Sequence, residues 1–282
     1  MDAEQDPAPN VAVIMPVHNA GRFLRECMDS VLGQTFRDFI LLVCDDGSDD
    51  DSLAILEEYA ARDKRVHILK NEKKQGVTRT CNKLLAALPA ECVFLARMDA
   101  DDVCMPDRLE RQVRFLTGHP EICGISSSLE IIDEQSRTIG YRRYPVSPEE
   151  IRIAMPDRNV LAHPALMIRR AAMDEVHGYS NDPACVCCQD YECWLRLLDK
   201  HEFANLPDPV LKYRMSSSQC KQSKLRLSLK TSLRLQRAYR TRTNSWTFRS
   251  RLHIFAGYLL LCLPSSLILK LFEATTYRKT WS

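Results

Sequence analysis

The chain has 282 residues, 45% hydrophobic and 27% charged, with a formal net charge of +2. That composition excludes wholesale disorder and leaves room for one large domain, or a domain with an appendage. Residues 1–10 are polar, Pro-containing and without a signal-peptide pattern, so they are expected to be disordered and the twelve scattered cysteines to be reduced core thiols in a cytosolic setting.

From Val11 the chain alternates strand and helix. Val11 to Met15 is an apolar run ended by Pro16, and Gly21 to Leu32 is read with Phe23, Leu24, Cys27, Met28, Val31 and Leu32 on one helical face. Strands are predicted at 39–44, 66–69 and 92–96, and helices at 51–61 and 77–88. Continuous apolar strands between amphipathic helices predict βαβ units and an α/β fold, a Rossmann-like, mostly parallel sheet flanked by helices. Neither strand-to-helix turn carries Gly-x-Gly-x-x-Gly or a phosphate loop, which argues against a dinucleotide dehydrogenase or a P-loop NTPase.

Further on, a helix is predicted from Pro106 to Leu116, strands at 129–133, 138–144 and 164–169, a helix at 189–198 and a last strand at 211–214. The spacing of Cys185, Cys187, Cys188 and Cys193 lacks the paired knuckle of a zinc site. Beyond Ser216 a basic helical stretch, 221–242, precedes an apolar one, 252–272, broken by Pro264-Ser265-Ser266. No Asp or Glu occurs from Lys212 to Phe272, which suggests an anionic partner. A span needs about 20 apolar residues, and the break favours a helical hairpin on a membrane surface over a span or a pair packed on the core. Aromatic residues are not interleaved among the basic ones as a nucleic-acid stacking platform would need, so no nucleic-acid partner is expected.

Three acidic turns carry the chemistry. Asp99, Asp101 and Asp102 close the 92–96 strand, and carboxylates packed so tightly suit a hard cation, Mg2+ or Mn2+, at the mouth of a sheet where phosphate ligands bind. Asp45-Asp46-Gly47-Ser48 ends the second strand, where Asp45 can accept the imide N–H of a uracil ring. Pro16-Val17-His18-Asn19 ends the first, and His18 offers a flat face for stacking. Singly, each is also ordinary turn chemistry.

Taken in order, these motifs, Gly76 and Asn82, Pro106-Asp107-Arg108-Leu109 and Gln189-Asp190-Tyr191-Glu192 resemble the family 2 glycosyltransferases of the GT-A fold, of the kind that build bacterial cell envelopes. The resemblance covers about 11–214 and divides the chain into a disordered start (1–10), a GT-A domain (11–215) and a basic, apolar helical region (216–282). It implies an inverting, metal-dependent transfer from a nucleotide-sugar donor, UDP-linked, to a hydroxyl of a glycan or lipid-linked acceptor.

By the same resemblance Asp190 is the catalytic base. Pro16, His18, Asn19, Asp45, Asp46, Arg79 and Asp99 lie on the donor side, Asp101 and Asp99 at the metal, and His163 and Gln189 on the acceptor side. Arg79 and Arg97 are expected to meet phosphate or the acidic cluster. As a carboxylate at a helix start, Asp190 is expected to have a pKa lowered by the dipole, about 0.3–1 kcal/mol, until the acceptor desolvates it. Many relatives carry a His shortly after the pair equivalent to Tyr213-Arg214, where this chain has Met215 and Ser216, and a Glu at Gln189. The expected location is cytoplasmic, peripheral on the inner, anionic face of the cell membrane. Two further readings are nucleotidyl transfer on a related fold and a non-catalytic nucleotide-sugar-binding protein.

Overall fold

The computed structural model describes residues 10–185, 187–215, 221–265, 267, 268, 271, 280 and 281. Except for Asn10, the stretch expected to be disordered lies outside them, as does Ser216.

A seven-stranded sheet forms the centre. Its first four strands, β1 (Val11–Val17), β2 (Phe39–Asp45), β3 (Val66–Lys70) and β4 (Phe94–Arg97), run parallel. Helices α1 (Gly21–Leu32), α2 (Ser52–Arg62) and α3 (Val77–Ala86) connect them. Successive β1 side chains point to opposite faces: Val11, Val13 and Met15 pack with Leu24, Met28 and Val31 of α1, while Ile14 packs with Leu84 of α3. Each such buried aliphatic side chain contributes about 1.5–3 kcal/mol. Pro16 is tolerated in β1 because pairing with β4 stops at Ile14.

The second half is less regular. A two-residue strand, β5 (Val103–Cys104), precedes α4 (Arg108–Gly118), which begins two residues later than expected. Then come β6 (Ile122–Ser127), β7 (Leu129–Ile132), β8 (Thr138–Arg142), α5 (Pro148–Ala154), β9 (Met167–Arg169) and α6 (Arg170–Glu175). Helix α7 (Gln189–Leu197) and strands β10 (Glu202–Leu206) and β11 (Leu211–Arg214) complete the domain. The large sheet has the order β10-β6-β9-β4-β1-β2-β3, and β9 is antiparallel to both neighbours. A smaller sheet, β5-β11-β7-β8, stands beside it.

The sequence reading missed β6, β10, α5 and α6. Strand β6 is buried throughout but reads Ile-Cys-Gly-Ile-Ser-Ser, and its serines satisfy themselves internally, Ser126 Oγ donating to Ala162 O at 3.0 Å. Residues 164 and 165, expected as the start of a strand, belong to a 3-10 turn at His163–Ala165.

Helix α8 (Lys221–Arg242), the expected basic helical stretch, packs on the domain against α7. Three of its cations are engaged by the protein: Arg234 bonds Ala184 O, and Arg240 and Arg242 pair with Asp157 and Asp199. Helix α9 (Phe248–Leu260) lies against α8, where Gly257 meets Leu233 so closely that a Cβ would fall 2.4 Å from the leucine. No described helix is long and apolar enough to cross a membrane. Phe248, Leu252, Phe255 and Leu259 of α9 remain exposed.

Candidate active site

The strand ends of β1, β2 and β4 set three turns side by side, because Val17 pairs with Asp45 and Met98 N donates to Ile14 O at 3.0 Å. The first two turns are latched together. Asn19, in the left-handed region at φ 51°, donates its N–H to Ser48 Oγ at 3.0 Å and accepts from Asp49 N at 2.8 Å. Gly47 sits at φ 66°, and a Cβ there would lie 2.9 Å from Lys74 N. Both facts demand glycine.

Asp46 holds the segment packed on that glycine. Its Oδ1 accepts from Asn71 Nδ2 at 2.8 Å and Gln75 N at 2.7 Å, and its Oδ2 from Gly76 N at 2.8 Å. Burial works to raise its pKa, but these donors outweigh it and leave it lowered. Asp46 therefore fixes the 71–76 segment with its carboxylate. Asp45 is different: it is buried, Ser48 N reaches its Oδ2 at 3.3 Å, and its Oδ1 has no hydrogen-bond partner in the apo protein. His18 Nδ1 is buried and unpartnered in the neighbouring turn. An unmet acceptor beside a flat ring is a fitting receptor for a nucleobase edge. Arg79 is exposed on the first turn of α3 and contacts Gln75 Oε1 at 3.4 Å; it does not join the cavity described next.

The acidic turn after β4 splits into two kinds of carboxylate. Asp102 turns inward, fully buried, with Oδ1 accepting from Arg214 N at 2.8 Å and Oδ2 unpartnered. Burial, followed by the charges of Asp101 and Asp99, pushes its pKa well above the usual carboxylate range. The expectation of three carboxylates about one cation is thus reduced to two, and among the described residues no group of three ligating side chains is disposed to hold a metal. Asp99 and Asp101 remain partly exposed. Asp99 is paired with buried Arg97 at 2.6 Å. Burial alone would lower the Arg97 pKa, but the charge and hydrogen bond of Asp99, with Cys81 and Tyr179, together outweigh it and leave it raised. Two hard carboxylate donors, of which Asp99 borders open space, are of the chemistry that suits a Mg2+ or Mn2+ ion taking its other ligands from phosphates and water.

Arg214 fixes this turn from beneath. Fully buried, it donates from Nε to Asp101 O at 2.7 Å and from Nη2 to Glu26 at 2.6 Å, and it stacks on Phe23. The Tyr-Arg pair was visible in the sequence, but its reach to Asp101 and Asp102 was not.

Across from the turns, a cavity of about 280 Å3 is bordered by Asp99, Asn159, His163, Gln189 and Asp190. Four of those five are predicted site residues, drawn from segments ninety residues apart. Asp190 stands in the first turn of α7, and its Oδ2 accepts from Asn159 Nδ2 at 2.9 Å. Desolvation raises its pKa against the backbone donors and Asn159, reversing the lowering expected from the helix dipole. His163 is held by Tyr179, with Nε2 2.9 Å from the hydroxyl, and packs edge-on to Trp194. Burial, with help from the Arg97 charge, drops its pKa to about 3, so the imidazole is neutral. Tyr179 is clasped in turn by Asn82, which gives Nδ2 to Tyr179 O at 2.8 Å and accepts from Tyr179 N at 3.0 Å. Sequence reasoning missed Asn159 and Tyr179, because both lie in loops with no local signature.

The glycosyl transferase family 2 model matches residues 12–176. The O-antigen biosynthesis glycosyltransferase WbnJ of Escherichia coli is 30% identical over 219 residues, which cover 76% of this chain and 83% of that protein. Among solved structures, the mannosyltransferase PcManGT from Pyrobaculum calidifontis, in complex with GDP-Man and Mn2+, is similar with a TM-score of 0.61 at 15% identity, over 97% of this chain and 78% of that one. S. aureus TarS 1-349 in complex with UDP-GlcNAc gives 0.58 at 17% identity, over 88% and 79%. At such identities the two structures speak for the fold alone.

Proposed function

Because this chain belongs to the family 2 glycosyltransferases and has the GT-A fold, we propose that it is an inverting, metal-dependent enzyme carrying a sugar from a UDP-linked donor to a hydroxyl of a glycan or lipid-linked acceptor. The observation that carries this reading is the single cavity on which Asp99 and Asp190 both open. One carboxylate of the acidic turn, Asp99, and a candidate base thus share one space.

In this reading Asp45 takes the imide N–H of the base with its unmet Oδ1, and the ring of His18 lies against it. Pro16 and Asn19 shape the turn that carries His18. Asp101 and Asp99 hold the ion, which when bound neutralises charge on the departing diphosphate, a Lewis-acid contribution of several kcal/mol. Asp190 removes the proton from the acceptor hydroxyl. The acceptor oxygen bonds to the anomeric carbon as the bond from that carbon to the phosphate oxygen breaks on the opposite face. A raised pKa makes Asp190 a stronger base than a surface carboxylate, while Asn159 orients its oxygen. His163 stays neutral, and with Gln189 it lines the acceptor side.

The similarity to an O-antigen enzyme supports a role in cell-envelope polysaccharide synthesis. The exposed apolar side of α9 supports a peripheral seat on the inner face of the cell membrane. The test is a panel of UDP- and GDP-sugars and nucleoside triphosphates against a broad set of glycan and lipid-linked acceptors, with the full chain, Mg2+ or Mn2+, and detection of released phosphates. Nucleoside diphosphate release with a UDP-sugar is expected. Pyrophosphate release from a nucleoside triphosphate would instead establish nucleotidyl transfer, and binding without turnover a non-catalytic protein.

A further inference from the structure

A second, larger cavity of about 640 Å3 lies between the 142–160 segment and helices α8 and α9. We propose that it seats the part of the acceptor next to the accepting sugar: a phosphate or diphosphate ester with an apolar chain. This deepens the glycosyl-transfer reading and rests on it.

The walls have two characters. On one side stand Arg142, Arg143, Arg158 and, from α9, His253. On the other, Leu229, Leu233 and Leu260 give an apolar lining. Among the described residues one carboxylate borders the space, Asp157, but Arg240 already pairs with it, and Gln236 Nε2 donates to its carbonyl at 2.7 Å. The field inside therefore favours an anion, and guanidinium groups suit the planar recognition of phosphate oxygens. Arg143 stacks on Trp281 at 4.6 Å, which holds that cation at the rim.

The chamber also leads to the reacting atoms. Arg142, Tyr144 and Asn159 border both it and the Asp190 cavity. Asn159 is the residue that donates to Asp190. A ligand with its phosphate among the arginines and its tail along α8 and α9 would send its sugar past Asn159 toward the base. The exposed Phe248, Leu252, Phe255 and Leu259 occupy the i, i+4, i+7 and i+11 positions of α9, so the helix that walls the chamber also has an apolar outer side suited to lipid.

The experiment measures binding of decyl diphosphate, below its micellar concentration, to the full chain by calorimetry. EDTA is present so that a metal-loaded donor site does not take up the diphosphate. Inorganic pyrophosphate and decanol are the two comparison probes. Decyl diphosphate is expected to bind at least tenfold more tightly than either. Two variants, Arg143→Ala with Arg158→Ala, and Ala256→Trp, which fills the space from α9, are each expected to weaken it at least tenfold. UDP affinity with Mg2+ and the thermal midpoint serve as folding controls and are expected to hold. Equal binding by both variants and the parent would overturn the assignment. So would pyrophosphate binding as tightly as the decyl ester, which marks a site for free phosphate, or capture only by vesicles of anionic lipid, which marks bulk surface attraction. If the donor panel yields no nucleoside diphosphate while decyl diphosphate keeps this variant pattern, the transfer reading fails and the chamber remains a ligand site.

Discussion

The two walls of the active cleft are built by different means. The donor wall is made of turns that follow consecutive parallel strands, latched by short-range contacts such as Asn19 to Ser48 and Asp46 to Gly76. The acceptor wall is gathered from β8, the 154–163 loop, the start of α7 and, beyond them, α8 and α9. One wall is dictated locally by strand ends. The other depends on distant segments finding each other, and there side-chain burial rather than turn geometry sets the chemistry. The two should therefore fail differently when mutated.

The largest effect belongs to the acceptor wall. Asp190→Asn should lower kcat about 10^2- to 10^4-fold, the usual worth of a positioned general base, with UDP affinity unchanged by calorimetry. The same variant should be more stable than the parent at neutral pH. The folded pKa of Asp190 is raised, so its carboxyl favours the fold most below the unfolded value near 3.9, and that contribution is lost as pH rises through the folded pKa. Asparagine removes the buried charge, so the gain in Tm should grow with pH and vanish in acid. A variant that is both inactive and unstable would make Asp190 a structural residue.

Next comes the support beneath the acidic turn. Arg214→Ala empties a fully buried site and releases charge-assisted bonds to Glu26 and Asp101, a loss of about 3 kcal/mol. For a chain of this size the Tm should fall by roughly 5–10 °C, readable by calorimetry. A smaller effect is expected on the donor wall. Gly47→Ala places a β-carbon at φ 66° against the 73–74 backbone, costing about 1–3 kcal/mol. It should raise the donor KM while leaving the acceptor KM alone. Equal changes in both would erase the distinction between the walls.

This division also explains what the sequence could disclose. Strands β1 to β4 were legible as short apolar runs, broken only by His67 in β3, with a helix period after each of the first three, and the acidic turns followed as strand ends. Asp190 and His163 were reached through a resemblance, since nothing local to either residue tells that they meet. Strand β6 was hidden by Gly124, Ser126 and Ser127, polar or small residues that a central strand accommodates once their hydroxyls have partners. Helix α5 was overlooked although Ser147-Pro148-Glu149-Glu150 is a capping box with proline at the first position. The inward turn of Asp102 was unreadable, because its partner Arg214 lies 112 residues away. In the basic C-terminal stretch, charge composition counts arginines without saying that Arg240 and Arg242 face Asp157 and Asp199.

The smallest expected effect is the sharpest test of how the acceptor wall works. Asn159 donates to Asp190 Oδ2 and so partly offsets the desolvation that raises the pKa of the base. Asn159→Ala removes that donor, and the acid limb of the kcat profile should move to higher pH, with about a five- to tenfold loss at neutral pH, near 1 kcal/mol. Asn159→Asp should move it further, because a second carboxylate then opposes ionisation of the first. A structural role would alter Tm or acceptor KM and leave the limb in place. A limb that shifts in this order, alanine and then aspartate, ties the base to a loop that no strand end positions.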